Sequence, residues 1–359
     1  MKTMLKAADR AENIILNCRE LYLKYGYRRF LMSKFEDYDF YAVNKKFLMS
    51  DSILTFTDKK GKLKALKPDV TLSIVKNLCE DELPAKVFYN ENVYRPDENG
   101  NEFREIMQLG LESIGTNDIY SSAEVIMLAE KSLSLIAENH ILDISHMGLI
   151  NSFIEISNLP EEKHQLLIDA ISRRSTDTVR SLIPDTSVAD KLCRLISEYA
   201  PVSKFIPVLK ELLPESDAMA ELCGICEILS SLGIDQKIYL DFSLVNDMSY
   251  YNGIIFKGFV SGIPTEILSG GRYDPLLSRF GMSCGGCGFA IYLDRLSVYE
   301  SQKSQNEADV LLIYDDSVLG SDVAVKINAL VNDGKTVKAV HSSMAVKEDR
   351  FGEIIKMFQ

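Results

Sequence analysis

KVFYNENVYRPDENGNEFREIMQLGLESI, residues 86–114, is the stretch on which the fold turns. Lys86 to Arg95 and Phe103 to Ile114 are rich in aromatic and branched aliphatic residues, the composition of strands. The link between them, Pro96-Asp97-Glu98-Asn99-Gly100-Asn101, is short and polar, with turn-forming residues throughout. The two segments are therefore expected to pair antiparallel. Upstream, Ile53 to Thr57 and Lys62 to Leu66 flank Asp58-Lys59-Lys60-Gly61, a second hairpin in which Gly61 supplies the positive φ. Nearer the start, Ala7, Ala11, Ile14, Ile15, Cys18 and Leu21 recur at helical spacing, and Gly26 offers the left-handed residue that closes a helix over Ala7 to Tyr25. Downstream, Ser121 and Glu124 have capping-box spacing before the apolar run Val125 to Ile136, which predicts a helix covering the sheet.

From Pro160 to Ser231, prolines at 160, 184, 201 and 214 punctuate segments that lack strand alternation and read as helices. Strand patterns return at Lys237 to Leu240, Ile254 to Val260 and Cys287 to Leu293. Beyond the polar segment Ser301 to Asn306, a strand at Val310 to Tyr314, a helix at Val323 to Val331, a turn at Gly334 and a strand at Thr336 to Val340 make one βαβ unit. The expected fold class is α+β, an antiparallel sheet flanked by helices. Its core is read as residues 1–145 and 235–300, with a helical insertion over 146–234 and a small C-terminal α/β module over 307–359.

The 359 residues are 46% hydrophobic, enough to bury a sizeable core. A formal net charge of -12 describes a molecule whose overall field repels a polyanion, which counts against tRNA as a partner. Met1 to Leu16 carries Lys2, Lys6, Asp9, Arg10 and Glu12 and no uninterrupted apolar stretch, so neither a signal peptide nor a membrane span is expected and the chain reads as cytoplasmic. The seven cysteines are odd in number and mostly in apolar surroundings, as suits reduced thiols. Two CxxC pairs, Cys223/Cys226 and Cys284/Cys287, are far apart in the chain and read as core packing rather than a zinc site. His140, His146, His164 and His341 show no ligand spacing, and no phosphate loop is present. Neither a metal nor a cofactor is expected.

Chemistry gathers in three ordered blocks. The first is Leu66-Lys67-Pro68-Asp69-Val70-Thr71, and the second runs from Val93-Tyr94-Arg95 to Gln108-Leu109-Gly110-Leu111-Glu112. The third joins Ser269-Gly270-Gly271-Arg272-Tyr273-Asp274 to Gly288-Phe289-Ala290-Ile291-Tyr292-Leu293-Asp294-Arg295-Leu296, and Tyr250-Tyr251-Asn252-Gly253 precedes it. Acceptors at Asp69, Gln108 and Glu112, with the Thr71 hydroxyl, could converge on an ammonium group. Taken singly, Gln108 and Glu112 fit a solvated strand face, Tyr250 and Tyr251 a core or rim, and Gly270-Gly271 a tight turn. In this order and spacing the blocks resemble the motifs of class II aminoacyl-tRNA synthetases, specifically the histidyl enzyme. The resemblance implies that fold and a histidine pocket: Asp69, Thr71, Gln108 and Glu112 at the amino group, Tyr251 and Tyr273 at the imidazole, and Tyr250 beside them.

The departures from the family fall where amino-acid activation needs cations around the reacting phosphate. Asn246 stands in place of the assisting arginine, Ser249 in place of an aspartate, and Glu102 in place of a basic residue for the ATP phosphates. Tyr292 replaces a glycine against which adenine would lie. Arg95 and Arg295 remain as matches to the ATP-site arginines, a residual anion site. Ser33 replaces a proline of the dimer motif, and the C-terminal module resembles a cut-down anticodon-binding domain. The resemblance thus implies the synthetase-like paralogues that serve as non-catalytic regulatory subunits of ATP phosphoribosyltransferase, required for the first step of histidine biosynthesis and its feedback inhibition by histidine. The implied partners are a short-form catalytic subunit in a hetero-oligomer, L-histidine as effector and a second copy in a self-dimer, with no tRNA and no membrane. The alternatives are a divergent histidyl-tRNA synthetase that activates histidine with ATP, and a synthetase-like sensor of uncharged tRNA.

Overall fold

The structure is a computed structural model that describes residues 10–48, 52–78, 80–97, 102–116, 118–213, 215–245, 250–300 and 307–358. Arg10–Leu296 is one compact unit and Ser297–Gln359 belongs to a second. The first unit opens with helix α1 (Arg10–Lys24), closed by Gly26 at φ 82°. Strands β1 (Arg28–Arg29) and β2 (Phe35–Asp37), the short helix α2 (Tyr38–Ala42), strands β3 (Thr55–Thr57) and β4 (Leu63–Leu66) and helix α3 (Thr71–Asn77) follow. The two long strands expected from the sequence are β5 (Ala85–Pro96) and β6 (Phe103–Ile114), after which come α4 (Ile119–Ile136) and β7 (His140–His146).

Helices α5 (Met147–Ile156), α6 (His164–Ser172), α7 (Thr176–Leu182), α8 (Thr186–Ser197), α9 (Val202–Leu212) and α10 (Asp217–Ser231) fill the next stretch, with the two-residue strand β8 (Ala200–Pro201) before α9. The chain returns through β9 (Ile238–Leu240), β10 (Ile254–Val260), β11 (Leu268–Arg272), α11 (Asp274–Arg279), β12 (Gly286–Tyr292) and α12 (Leu293–Glu300).

Nine strands form one sheet in the order β1-β5-β6-β12-β11-β10-β7-β9-β8. Its centre is antiparallel, as expected, but β1 joins β5 and β9 joins β7 in parallel, so the sheet is mixed. The hairpin at Asp58 to Gly61 forms with Gly61 at φ 79°, yet it belongs to a separate three-stranded sheet, β2-β4-β3. Strands β7 and β11 were not anticipated. The pair Gly270-Gly271 lies inside β11 and is not a turn, because the close neighbours on both sides demand residues without side chains.

Alternation along β6 sorts its residues between two faces. Leu109 and Leu111 point toward α1 and α4. On that side Tyr22 lies against Phe88 and Phe289, with ring centroids 5.9 and 6.2 Å away, and shares a hydrogen bond of 2.8 Å with Ser132 of α4. Gln108, Gly110 and Glu112 point the other way, into the site.

Helix α4 starts earlier than the capping-box spacing implied. Its cap is Asp118: the Ser121 N–H and hydroxyl donate to the two carboxylate oxygens at 2.9 and 2.7 Å. Glu124 does not reach back to the cap. It is buried, accepting from Lys86 at 2.6 Å and Tyr27 at 3.1 Å. Replacing Asp118 by alanine is expected to cost about 1 kcal/mol of stability, seen as a lower urea midpoint at unchanged slope. A cap at Ser121 would instead make Ser121→Ala the costlier change.

In the second unit, β13 (Ala308–Tyr314), α13 (Gly320–Asn332) and β14 (Val337–His341) are the expected βαβ. An unanticipated strand, β15 (Phe351–Met357), pairs parallel with the other edge of β13. Val310 and Leu312 pack there with Val323 and Leu330 of the helix. Among the described residues no helix is long and apolar enough to cross a membrane.

Candidate functional site

A cavity of about 360 Å³ is lined by Asp69, Thr71, Arg95, Gln108, Glu112, Tyr250, Tyr251 and Tyr273, a volume at the lower end for small-molecule pockets. All seven residues expected at a histidine pocket therefore meet in one place. Arg295 is not among the lining residues, although its contacts Glu266 and Tyr292 are.

Register explains the convergence. β6 and β12 pair so that Glu112 stands opposite Gly288, Gly110 opposite Ala290 and Gln108 opposite Tyr292. A Cβ on Gly288 would lie 1.7 Å from Glu112 Oε2, so the missing side chain is the space the carboxyl occupies. A Cβ on Gly271 would come within 2.7 Å of the Tyr251 ring, and one on Gly110 within 2.5 Å of the Tyr89 hydroxyl. These glycines carry the site as surely as the polar residues do. The sequence signal that could have found them is glycine inside strands, where it is otherwise disfavoured.

Glu112 is 1% exposed. The Thr71 hydroxyl, from the first residue of α3, donates to its Oε1 at 2.7 Å, and the Tyr273 hydroxyl donates to Oε2 at 2.6 Å. Asp69 is differently employed. One of its oxygens accepts the Leu72 N–H at 2.8 Å in the first turn of α3, and the other faces Arg95 Nη2 at 3.3 Å. Arg95 Nε also donates to the Pro68 carbonyl at 2.6 Å, which ties β5 to the segment that carries Asp69 and Thr71. Tyr250 and Tyr251 have ring centroids 4.6 Å apart, with Tyr273 6.3 Å from Tyr250, giving the cavity an aromatic wall.

Burial dominates the electrostatics. Desolvation pushes the Glu112 carboxyl up to about 8, against the pull of its two hydroxyl donors. Desolvation also raises Asp69, against the nearby Arg95 guanidinium. Burial holds the Tyr250, Tyr251 and Tyr273 phenols protonated, well above their ordinary range. A buried carboxyl whose hydrogen-bond partners are neutral hydroxyls, open to a cavity, is built to receive a cation.

Beside the lining residues Glu266 and Tyr292, the Arg295 guanidinium is already engaged. Arg295 meets the Glu266 carboxylate at 3.2 Å and the Glu266 carbonyl, and its guanidinium lies 4.4 Å from the centre of the Tyr292 ring. The Tyr292 hydroxyl is 2.7 Å from Ser269 Oγ. Glu102 is exposed at the end of the β5–β6 loop. Asn246, Ser249 and the loop residues Glu98 to Asn101 lie outside the described residues, as does Cys79. Cys223 and Cys226 are buried in α10, Cys287 is buried in β12, and Cys284 precedes it. Among the described residues no three His, Cys, Asp or Glu side chains are grouped so as to hold a metal.

A mixed sheet with an antiparallel centre, helices on one face and an amino-acid-sized cavity on the other defines a class II aminoacyl-tRNA synthetase-like protein. The histidyl-tRNA synthetase family profile matches residues 3–296. An ATP phosphoribosyltransferase regulatory subunit from Thermoanaerobacter sp. (strain X514) is 32% identical over 356 residues, covering 94% of this chain and 93% of the relative. The chain belongs to the histidyl-tRNA synthetase-like family of ATP phosphoribosyltransferase regulatory subunits. Among solved structures, an ATP phosphoribosyltransferase regulatory subunit/histidyl-tRNA synthetase from Bacillus halodurans superposes with a TM-score of 0.76 at 23% identity, over 96% of this chain and 93% of that one. A chain of an ATP phosphoribosyl transferase complex from Thermotoga maritima superposes with a TM-score of 0.64 at 20% identity, over 80% of this chain and 98% of that one.

Proposed function

We propose that this chain is the non-catalytic regulatory subunit of ATP phosphoribosyltransferase, that it works in a hetero-oligomer with a short-form catalytic subunit, and that L-histidine in the cavity on β6 is its inhibitory signal. The carrying observation is Glu112: buried, bonded by two hydroxyls and open to the cavity. An α-ammonium placed there makes the charge-assisted bond that the free site lacks, and the tyrosine wall suits an imidazole. The relatives' shared name supports the regulatory role. Histidine inhibits in this reading by binding one state of the complex more tightly than the other.

The proposal includes a self-dimer and leaves out tRNA. It also leaves out histidine activation, a reading supported by the exposed carboxylate of Glu102 and by an Arg295 already engaged with Glu266. The test is reconstitution. Adding the chain to its cognate short catalytic subunit is expected to restore or raise formation of phosphoribosyl-ATP, and adding histidine to suppress it. In parallel, the chain alone with ATP and histidine is expected to show no pyrophosphate exchange. Histidine-dependent exchange above a protein-free blank would support the synthetase reading instead, and an unchanged catalytic rate on mixing would remove the regulatory one.

A further inference from the structure

Charged side chains in and beside the cavity fall into two groups. In one, Asp69 and Arg95 are paired at 3.3 Å, which leaves Glu112 as a carboxyl whose partners are neutral hydroxyls. In the other, Glu266 and Arg295 are paired at 3.2 Å, which leaves Lys257. Lys257 and Glu266 both line the cavity. Against its own burial, the Glu266 carboxyl is held below its ordinary range by its backbone N–H, then by Lys257 and Arg295, which places the Lys257 ammonium nearby. Lys257 is half-buried, and among the described residues it makes neither a hydrogen bond nor an ion pair. Its neighbour across the ladder, Asp143 of β7, is otherwise employed, accepting the Tyr199 hydroxyl at 2.9 Å.

Register sets Lys257 against Glu112. Lys257 of β10 stands opposite Ser269, Ser269 opposite Ala290, and Ala290 opposite Gly110. Glu112 is two residues along β6 from Gly110, so it and Lys257 project from the same face in adjacent rows. The residues between them are small, and the Glu112 carboxyl already leans over Gly288 of β12. From β12 to β10 is two strand spacings, about 10 Å at the backbone. A four-carbon lysine stem and the two charged groups of an amino acid close a gap of that size. Beside Lys257, the Ser269 and Tyr292 hydroxyls lie 2.7 Å apart and also line the cavity. A bond between two hydroxyls uses one hydrogen and leaves the other to donate.

We infer that Lys257, with the Ser269–Tyr292 hydroxyl pair, binds the α-carboxylate of the amino acid whose ammonium Glu112 receives. The cavity then selects a zwitterion over a plain amine. The inference rests on the histidine pocket proposed above and names the residue that reads the ligand's third functional group. The other cations on the cavity wall fit this role less well. Arg95 is committed to Asp69 and to the Pro68 carbonyl, and Lys46 is exposed, with its ammonium 4.9 Å from the centre of the Phe47 ring.

The test is a comparison of two ligands by calorimetric titration of the full-length chain. L-histidine is set against histidinol, which keeps the ammonium and the imidazole but ends in an alcohol. The unmodified chain is expected to bind histidine more tightly by roughly tenfold or more, the effect of one hydrogen bond to a charged group. Lys257→Met and Lys257→Gln are expected to weaken histidine by about the same factor, to leave histidinol nearly unchanged and so to erase the preference. Thermal melts are to confirm that the variants fold, and the preference of the unmodified chain is measured without any variant. If that chain binds both ligands equally, or if the Lys257 variants keep the preference, the inference is wrong and the histidine pocket stands. A preference lost in Lys46→Met instead would give the carboxylate to Lys46 and overturn the assignment. If the unmodified chain binds neither ligand, with or without the catalytic subunit, the pocket reading fails and this inference falls with it.

Discussion

Glu112→Gln is expected to weaken histidine binding at least a hundredfold while leaving the free protein folded and, at alkaline pH, more stable than the parent. The amide is nearly the shape of the carboxyl and can still bond the Thr71 and Tyr273 hydroxyls, which sit at 2.7 and 2.6 Å. What it lacks is charge. A bound α-ammonium would then lie in a desolvated pocket without its carboxylate, a loss on the order of 3–5 kcal/mol when one partner of a buried pair is removed. Calorimetric titration with histidine measures the first effect, and Glu102→Gln, on an exposed loop residue, is the control that should bind normally.

The stability effect has a definite sign. The folded-state carboxyl titrates near 8 instead of 4.5, so between those values the folded chain holds a proton that the unfolded chain has lost. Stability therefore falls as pH rises through that window, by ~1 kcal/mol per pH unit, and the variant escapes the fall. Melts at pH 5 should nearly coincide, and melts at pH 8.5 should favour Glu112→Gln. Undiminished histidine affinity in the variant would mean that the ammonium is held elsewhere.

The second large effect is on the pH dependence of binding itself. Below pH 8 the free Glu112 carboxyl is protonated, and accepting an ammonium requires that proton to leave. Affinity should then rise up to tenfold per pH unit between about 6.5, where the ligand's own imidazole titrates, and about 8. Calorimetry at pH 7 in buffers of different ionisation enthalpy should count close to one proton released per histidine bound. In Glu112→Gln both the release and the slope should vanish. Binding that releases no proton in the parent would show that Glu112 stays neutral and acts only as a hydrogen-bonding group.

Much of this protein was readable in the order of its residues. The pair at 86–95 and 103–114 forms as expected, because long runs of aromatic and branched residues separated by a polar turn have few other ways to bury themselves. Glycines 26, 61 and 334 mark turns, and each takes the positive φ that makes it cheaper than any other residue there. The strands that escaped notice are those whose local signal contradicts their place. β11 is glycine-rich, against strand propensity, and is held by neighbours on both sides. β15 alternates weakly and becomes a strand by lying against β13. At α4 the spacing of Ser121 and Glu124 matched a capping box, but burial of Glu124 with Lys86 and Tyr27 outweighed the local bond.

The sequence by itself determined the class of fold and which residue types were available to the candidate site, since alternation, turn chemistry and motif order are properties of neighbouring residues. Only the tertiary structure decided how those residues act. Thr71 and Tyr273 reach Glu112 from 41 and 161 positions away, and the carboxyl fits because Gly288 on the adjacent strand leaves room for it. Its raised proton affinity arises from burial, a condition that no residue carries alone and that exists only once distant segments have closed over it.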